Sequence, residues 1–282
     1  MLARVPGSSA NLGPGFDALA VALTRYVEVS VEPAESFSIS SEGFGAGLFD
    51  DERHLGARVV AQVLGHENFA IHVRSEIPVS RGLGSSAALA VAAAAAAGSS
   101  TALEVATDVD GHAENAAASV LGGLVVASVT ERAGIVARTL TLDPLWRFVV
   151  VVPDEELATA DARRVLPNHV PFKDAVHNVS AVALLLAGLA NRDDFVPGSM
   201  DDYLHQPYRM ALLPFAQPLL GRLRDAGAAG SCWSGAGSAM LALCDETTSG
   251  PVARAATGFL VDHSVAGVVW ELDADRRGLH VS

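Results

Sequence analysis

"GLGSSAALAV" occupies Gly82–Val91. Two glycines and two serines run straight into an alanine-rich stretch, so a flexible, hydroxyl-bearing loop opens a helix expected from about Ser86 to Ala97. Free N–H groups at a helix start, backed by the helix dipole, bind anions. Glycines let the backbone close around oxygens with no Cβ in the way. Ser85 and Ser86 can add hydroxyls toward a phosphate or a metal's water shell. An ordinary Gly-Ser turn with a capping serine would read the same in isolation. The loop lacks GxxxxGK[ST] and does not follow GxGxxG, so it is neither a P-loop nor a dinucleotide fingerprint.

Around this loop, strands dominate the first half and helices the second. Tyr26–Val31 alternates apolar and polar residues before Pro33, and Phe69–Pro78 alternates again. "LEVATDVDGHAENAAASVLGG" (Leu103–Gly123) reads as helix, turn, helix; "GLVVASV", "RTLTL" and "WRFVVVVP" read as strands. Helices are expected over Asp174–Ala190 and Met210–Gly227, then a glycine loop in "CWSGAGSAMLALC", a helix and a closing strand. This mixture points to α+β architecture rather than regular βαβ winding.

The totals narrow the function. Of 282 residues 50% are hydrophobic and 18% charged, which argues for a folded chain. A formal net charge of -13 disfavours nucleic acid and anionic membranes, so neither is expected as a partner. Lys173 is the only lysine, so none is available to a phosphate loop. Cys232 and Cys244 form no CxxC and no zinc spacing, which fits a reducing cytoplasm. The start "MLARVPGSSAN" holds no apolar run of signal-peptide length, and "AALAVAAAAAAG" is too short to span a bilayer.

Two further small-residue loops accompany the first: "PGSSANLGPGFDALA" (Pro6–Ala20) and "SGAGSAMLAL" (Ser234–Leu243). Together, in this order, the three resemble the motifs of the GHMP kinases, and most of all those of the family's homoserine kinases. The likeness continues through "GHAENAAASVLGG", "ATADARRVLP", "VPFKDAVHN" and "LHQPYR", so it spans nearly the whole chain. It implies a ribosomal S5 domain-2-like ATP-binding domain over residues 1–145 and a ferredoxin-like domain over residues 146–282. The implied reaction is ATP-dependent phosphorylation of the homoserine hydroxyl, with Mg²⁺, in a cytoplasmic homodimer. Another small hydroxylated acid or amino alcohol as acceptor, or a silent nucleotide-binding regulator, are the alternatives.

The resemblance also implies residue roles. ATP would lie over Pro78, Arg81, Gly82, Leu83, Gly84, Ser85, Ser86 and Ala87, with His54 on the adenine side. Mg²⁺ would be held by Ser86 and by Glu104, eleven positions before Asn115, with Asp108 and Asp110 as rivals in the same stretch. Asn11, Asp17, His112 and Asn115 fall on acceptor-binding positions, with Asp17, Asn115 and Glu104 closest to the chemistry. Arg163 and Arg209, beside Thr159 and Gly235, match a carboxylate clamp, a task that suits the guanidinium fork. His54 stands where the family usually has asparagine, and Ala181 where it often has arginine. No lysine is placed as a base, so catalysis is expected from alignment, metal and backbone amides, with the proton passing to phosphate or through Asp17.

Overall fold

The structure, a computed structural model, describes residues 1–282. The chain runs β1 (Leu2–Ala10), β2 (Leu19–Pro33), β3 (Ser38–Gly43), α1 (Leu55–Leu64), β4 (Phe69–Ser75), α2 (Ser85–Ala96), α3 (Ala102–Asp110), α4 (Glu114–Leu121), β5 (Leu124–Thr130), β6 (Gly134–Leu140) and β7 (Arg147–Pro153). It continues through α5 (Thr159–Arg164), α6 (Phe172–Ala190), α7 (Gln206–Arg209), α8 (Ala216–Asp225), β8 (Gly230–Trp233), β9 (Met240–Cys244), α9 (Ser249–Asp262), β10 (Gly267–Leu272) and β11 (His280–Val281).

Two sheets result. The first has seven strands along β11-β1-β2-β4-β3, with β5 and β6 branching from β2. Its long strand β2 pairs β1 along one edge, and along the other pairs β5 at Leu19–Val21 and β4 from Val27 onward, so one strand serves three neighbours. Helix α2 packs on β1 and β2 with an alanine face that is almost wholly buried. Small side chains let that helix lie close to the sheet, which brings its N-terminus up against β1. Burying these alanines costs no side-chain rotamer entropy.

The second sheet is antiparallel, in the order β10-β7-β9-β8. With α8 and α9 on it, this is the split βαβ arrangement of a ferredoxin-like fold. Helices α5, α6 and α7 are inserted between its first strand and α8. Pro214 and a short 3-10 turn at Met210–Leu212 break the single helix expected over Met210–Gly227. The sequence reading also lacked β1 and α1. Strand β1 hides because "VPGSSA" is small on both faces, and both faces are buried.

We propose that the two sheets mark two domains meeting between residues 145 and 146. The last residues return to the first sheet, since β11 pairs β1 and Ala274 bridges Leu23. Helix α6 is long and apolar enough to cross a membrane by length and composition, yet its inner face packs as part of this fold.

Candidate active site

A cavity of about 440 Å³ opens where the three small-residue loops meet, within the range of ligand pockets. The loops are stitched together by short polar contacts. Gly235 N–H donates to Ala10 O (3.1 Å), and Ala239 N–H donates to Arg81 O (3.0 Å). The Ser234 hydroxyl lies 2.8 Å from Ser9 Oγ and 2.7 Å from Gly82 O. Asn11 donates from Nδ2 to Gly235 O (2.9 Å) and accepts Asp17 N–H at Oδ1 (3.0 Å). Asn11 and Asp17 adopt positive φ, 73° and 53°, a conformation that short polar residues tolerate in tight turns.

Glycines at the loop crossings are required by space. A Cβ on Gly82 would stand 2.1 Å from Ser234 O, and one on Gly84 would stand 2.4 Å from Ser8 Oγ. Gly84, at φ 65°, is the N-cap of α2 and has no side chain to cap the helix. The start of α2 thus meets the cavity, which Gly82, Gly84, Ser85 and Ser86 line. Beyond them the wall turns apolar, with Phe44, Leu48, Phe49, Leu55, Val79, Leu89 and Val109. His54 belongs to this wall. Its Nδ1 accepts Gly56 N–H at 3.1 Å, which caps α1 and leaves Nε2 to carry the proton. Burial pulls the His54 pKa down, so the neutral ring is favoured.

Four sequence-implied nucleotide residues do not line the cavity: Pro78, Arg81, Leu83 and Ala87. Leu83 and Ala87 are core. Arg81 donates to Pro153 O (2.8 Å), Val79 O (3.0 Å) and Asp154 O, tying the loop to the end of β7.

At the other end of the cavity the charges gather. Arg163 grips Asp17 with both guanidinium nitrogens, at 3.0 and 2.8 Å, and both residues line the cavity. That pairing raises the Arg163 pKa. Asn11, His112, Asn115, Thr159 and Gly235 line the same end. Asn115 Oδ1 accepts the Ser8 hydroxyl at 2.8 Å, which fixes the amide against β1. Arg209 departs from expectation: it does not reach the cavity. It is 2% exposed and donates to Ala162 O (3.2 Å) and Gly235 O (3.0 Å), with Nη1 3.1 Å from His205 Nδ1. Burial first, then the charge of Arg163, pulls its pKa down to about 10. The two arginines thus form a front and a back, and only Arg163 lines the cavity.

The expected metal carboxylate lies away from the cavity. Glu104 is exposed in the first turn of α3 and does not line the cavity; neither does Asp108. Asp110, at the far end of the same helix, does line it. Its pKa is raised chiefly by burial, against the pull of the His112 imidazole and the Ser86 hydroxyl beside it. Glu114 was missed altogether. It is 2% exposed, lines the cavity, and meets His112 Nδ1 at 2.9 Å through Oε1. Its other oxygen is buried with no hydrogen-bond partner. That contact with Glu114, more than any other, raises the His112 pKa. A glutamate directly before Asn115 in "GHAEN" was the available signal.

Comparison with known proteins gives the class. Residues 53–123 match the GHMP kinases N terminal domain, and residues 183–262 match the GHMP kinases C terminal region. The chain belongs to the GHMP kinase family. Its full-length relatives there include the homoserine kinase of Desulfitobacterium hafniense, 35% identical with 99% of this chain and 98% of that protein covered. The homoserine kinase of Mycolicibacterium smegmatis is 40% identical over 96% of this chain and 94% of its own. Among solved structures, homoserine kinase from Cytophaga hutchinsonii superposes with a TM-score of 0.86 at 25% identity, covering 100% of this chain and 97% of that one. L. major mevalonate kinase in complex with R-mevalonate shares the fold, at TM-score 0.72 and 14% identity, over 96% and 95% of the two chains.

Proposed function

We propose that this chain transfers the γ-phosphoryl group of ATP to the side-chain hydroxyl of L-homoserine, giving ADP and O-phospho-L-homoserine, a step of threonine biosynthesis. One observation carries the reading. A cavity that begins at the Gly82–Ser86 loop ends at an opposed carboxylate and guanidinium, Asp17 and Arg163. A free amino acid brings the same two charges. Its carboxylate can take Arg163 from Asp17, while its ammonium takes Asp17 in exchange. A hydroxy acid would leave Asp17 without its partner, and an amino alcohol would leave Arg163 so; an unpaired, partly buried charge is costly. The relatives' names agree with this acceptor.

In this reading the open N–H groups of α2, with Gly82, Gly84 and Ser85, receive the phosphates, and the apolar wall with His54 receives the base. Asn11, His112, Asn115 and Thr159 supply hydrogen bonds to the acceptor. Asp110 and Ser86 fit Mg²⁺, a hard ion that needs one or two protein carboxylates beside phosphate oxygens. When bound, the ion neutralises charge developing on those phosphates. Alignment then does most of the work, because Asp17 has both oxygens committed to Arg163 until substrate displaces it. We place the chain in the cytoplasm, a reducing setting in which Cys232 and Cys244, both buried and free, remain thiols.

The test is a coupled ADP-release assay over L-homoserine, its carboxylate-reduced amino alcohol, 4-hydroxybutyrate and mevalonate. Homoserine should exceed each single-charge analogue by about tenfold or more in kcat/KM, the value of one charge-assisted contact. Equal turnover of 4-hydroxybutyrate would overturn the amino acid reading.

A further inference from the structure

Arg81 stands directly before Gly82, yet its side chain is engaged outside the cavity. The guanidinium closes its own turn on Val79 O (3.0 Å). It also crosses to the second sheet, where Nε donates to Pro153 O (2.8 Å) and Nη2 to Asp154 O. Those carbonyls end β7 and open residues 154–158, a stretch with neither helix nor strand of its own. Contacts therefore impose its course. Leu157 N–H donates to Ser80 O (3.1 Å), and Asp154 N–H donates to Ala266 O (2.8 Å). The Ser238 hydroxyl, from the third small-residue loop, donates to Glu155 O. Leu157 itself lines the cavity. Directly after the stretch comes α5, which brings Thr159 and Arg163 to the cavity. Its first turn starts from Ala158 O, which accepts Asp161 N–H and Ala162 N–H (3.0 and 3.1 Å).

We propose that Arg81 is a positioning residue that sets the distance between the Gly82–Ser86 loop and α5. It thereby sets the distance between the γ-phosphoryl group and the acceptor hydroxyl, a role that rests on the reaction proposed above. A misplacement of about 1 Å at reacting atoms costs on the order of a hundredfold in rate.

The contacts favour this role over two others. All three guanidinium nitrogens donate to backbone carbonyls, and the residue does not line the cavity, so it is not placed to meet a nucleotide. Its ion pair with Glu156 (3.3 Å) is the lesser contact, because the Glu156 side chain is 70% exposed and a pair so open to water contributes little. The planar fork suits two successive carbonyls, a geometry that an ammonium does not reproduce. The Gly82–Ser86 loop, by contrast, has other ties. Ala239 N–H donates to Arg81 O (3.0 Å), Ser234 Oγ to Gly82 O (2.7 Å) and Ser8 N–H to Leu83 O (3.1 Å). Loss of the guanidinium therefore leaves that loop seated and loosens the stretch that leads into α5.

Three measurements on Arg81→Leu test the proposal, with Arg81→Lys as the conservative variant and Glu156→Gln as the control. Amide hydrogen exchange of the free protein should quicken by about tenfold or more over residues 154–163, and stay as in wild type over β1 and α2. Calorimetry with a non-hydrolysable ATP analogue and no acceptor should give a Kd within about threefold of wild type. In steady state, kcat should fall by about ten- to a hundredfold with the ATP KM nearly unchanged. Arg81→Lys keeps a donor for one carbonyl and should fall between Arg81→Leu and wild type in kcat. It also takes the place of Arg81→Leu should that variant fail to fold. Glu156→Gln should stay within about twofold of wild type throughout. A Kd for the ATP analogue raised by about tenfold would make Arg81 a nucleotide contact. Unchanged exchange over residues 154–163 would remove the tie to α5, and faster exchange with wild-type kcat would leave the tie without a part in the reaction. Each of these three results overturns the proposal. The exchange and calorimetry arms use no acceptor, so they stand whichever hydroxyl compound the ADP-release panel shows to be phosphorylated, and kcat is then read with that compound.

Discussion

The two ends of the cavity are built on opposite principles. The end proposed to receive phosphate is backbone and small side chains: Gly82, Gly84, Ser85 and Ser86, seated on the alanine face of α2. The end proposed to receive the acceptor is side-chain charge: Asp17, Asp110, His112, Glu114 and Arg163, drawn from three separate stretches of chain. Backbone amides can meet any polyphosphate, so the first end sets a reaction class. Charges placed in fixed opposition can be matched by few molecules, so in the proposed reading the second end sets the substrate.

The sharpest way to break this contrast is to put a side chain into the backbone end. In Gly84→Val, a β-branched residue must hold φ 65°, with its Cβ 2.4 Å from Ser8 Oγ and 3.0 Å from Asn115 Oδ1. Nucleotide binding measured by calorimetry should collapse. Because the clash also displaces Asn115, acceptor binding should fall with it; unchanged ATP affinity would mean the loop does not hold phosphate.

Next comes the joint between the ends. Asp110→Asn should lower kcat by about a hundredfold, the scale of one lost electrostatic stabiliser, and raise the Mg²⁺ concentration required. Steady-state kinetics against Mg²⁺ would show it, and normal Mg²⁺ dependence would remove Asp110 from the metal.

A narrower effect is expected at the charged end. Arg163→Leu should cost about ten- to a hundredfold in kcat/KM for homoserine while leaving the ATP KM nearly unchanged. An equal loss for both substrates would erase the division of labour. Arg209→Leu is a poorer probe, since that guanidinium holds Ala162 O and Gly235 O and its loss should lower the melting temperature as well.

Acid should act more gradually. Burial pulls His205 from 6.5 to about 4, so between those values the unfolded chain binds the proton that the folded chain refuses. Stability is therefore retained above pH 6.5 and declines as pH falls toward 4. Denaturant melts across this window should flatten in His205→Gln; an identical slope in the variant would assign the acid sensitivity elsewhere. The smallest change belongs to Glu104→Gln, where an exposed helix-face carboxylate should leave turnover within about twofold of wild type.

These expectations track what each segment reveals by itself. The Gly82–Ser86 loop and α2 are adjacent in sequence, and glycine followed by a helix former is a local signal. The carboxylate near the phosphates is different. Counting back from Asn115 selects Glu104, but position along a helix does not say which face meets the loop. Glu104 and Asp108, four apart, share the outer face of α3, whereas Thr107 is buried and Asp110, three residues on, follows it inward. Arg209 is a similar case. Motif matching put two arginines in a clamp, yet one lies behind Gly235 and supports the wall that the other faces.

The sequence by itself determined the α+β class, the loop running into a helix at Gly82–Ser86 and the set of small-residue loops, because glycine, alanine and proline act through local backbone sterics. Only the tertiary structure decided that Gly235 meets Ala10, that Asp17 faces Arg163, that Asp110 rather than Glu104 lines the cavity, and that Glu114 is buried beside His112. Those facts depend on contacts between segments as much as 225 positions apart, such as Ser9 with Ser234. Such pairings are set by how two sheets and their helices pack, and no local preference along the chain encodes which charges that packing will bring face to face.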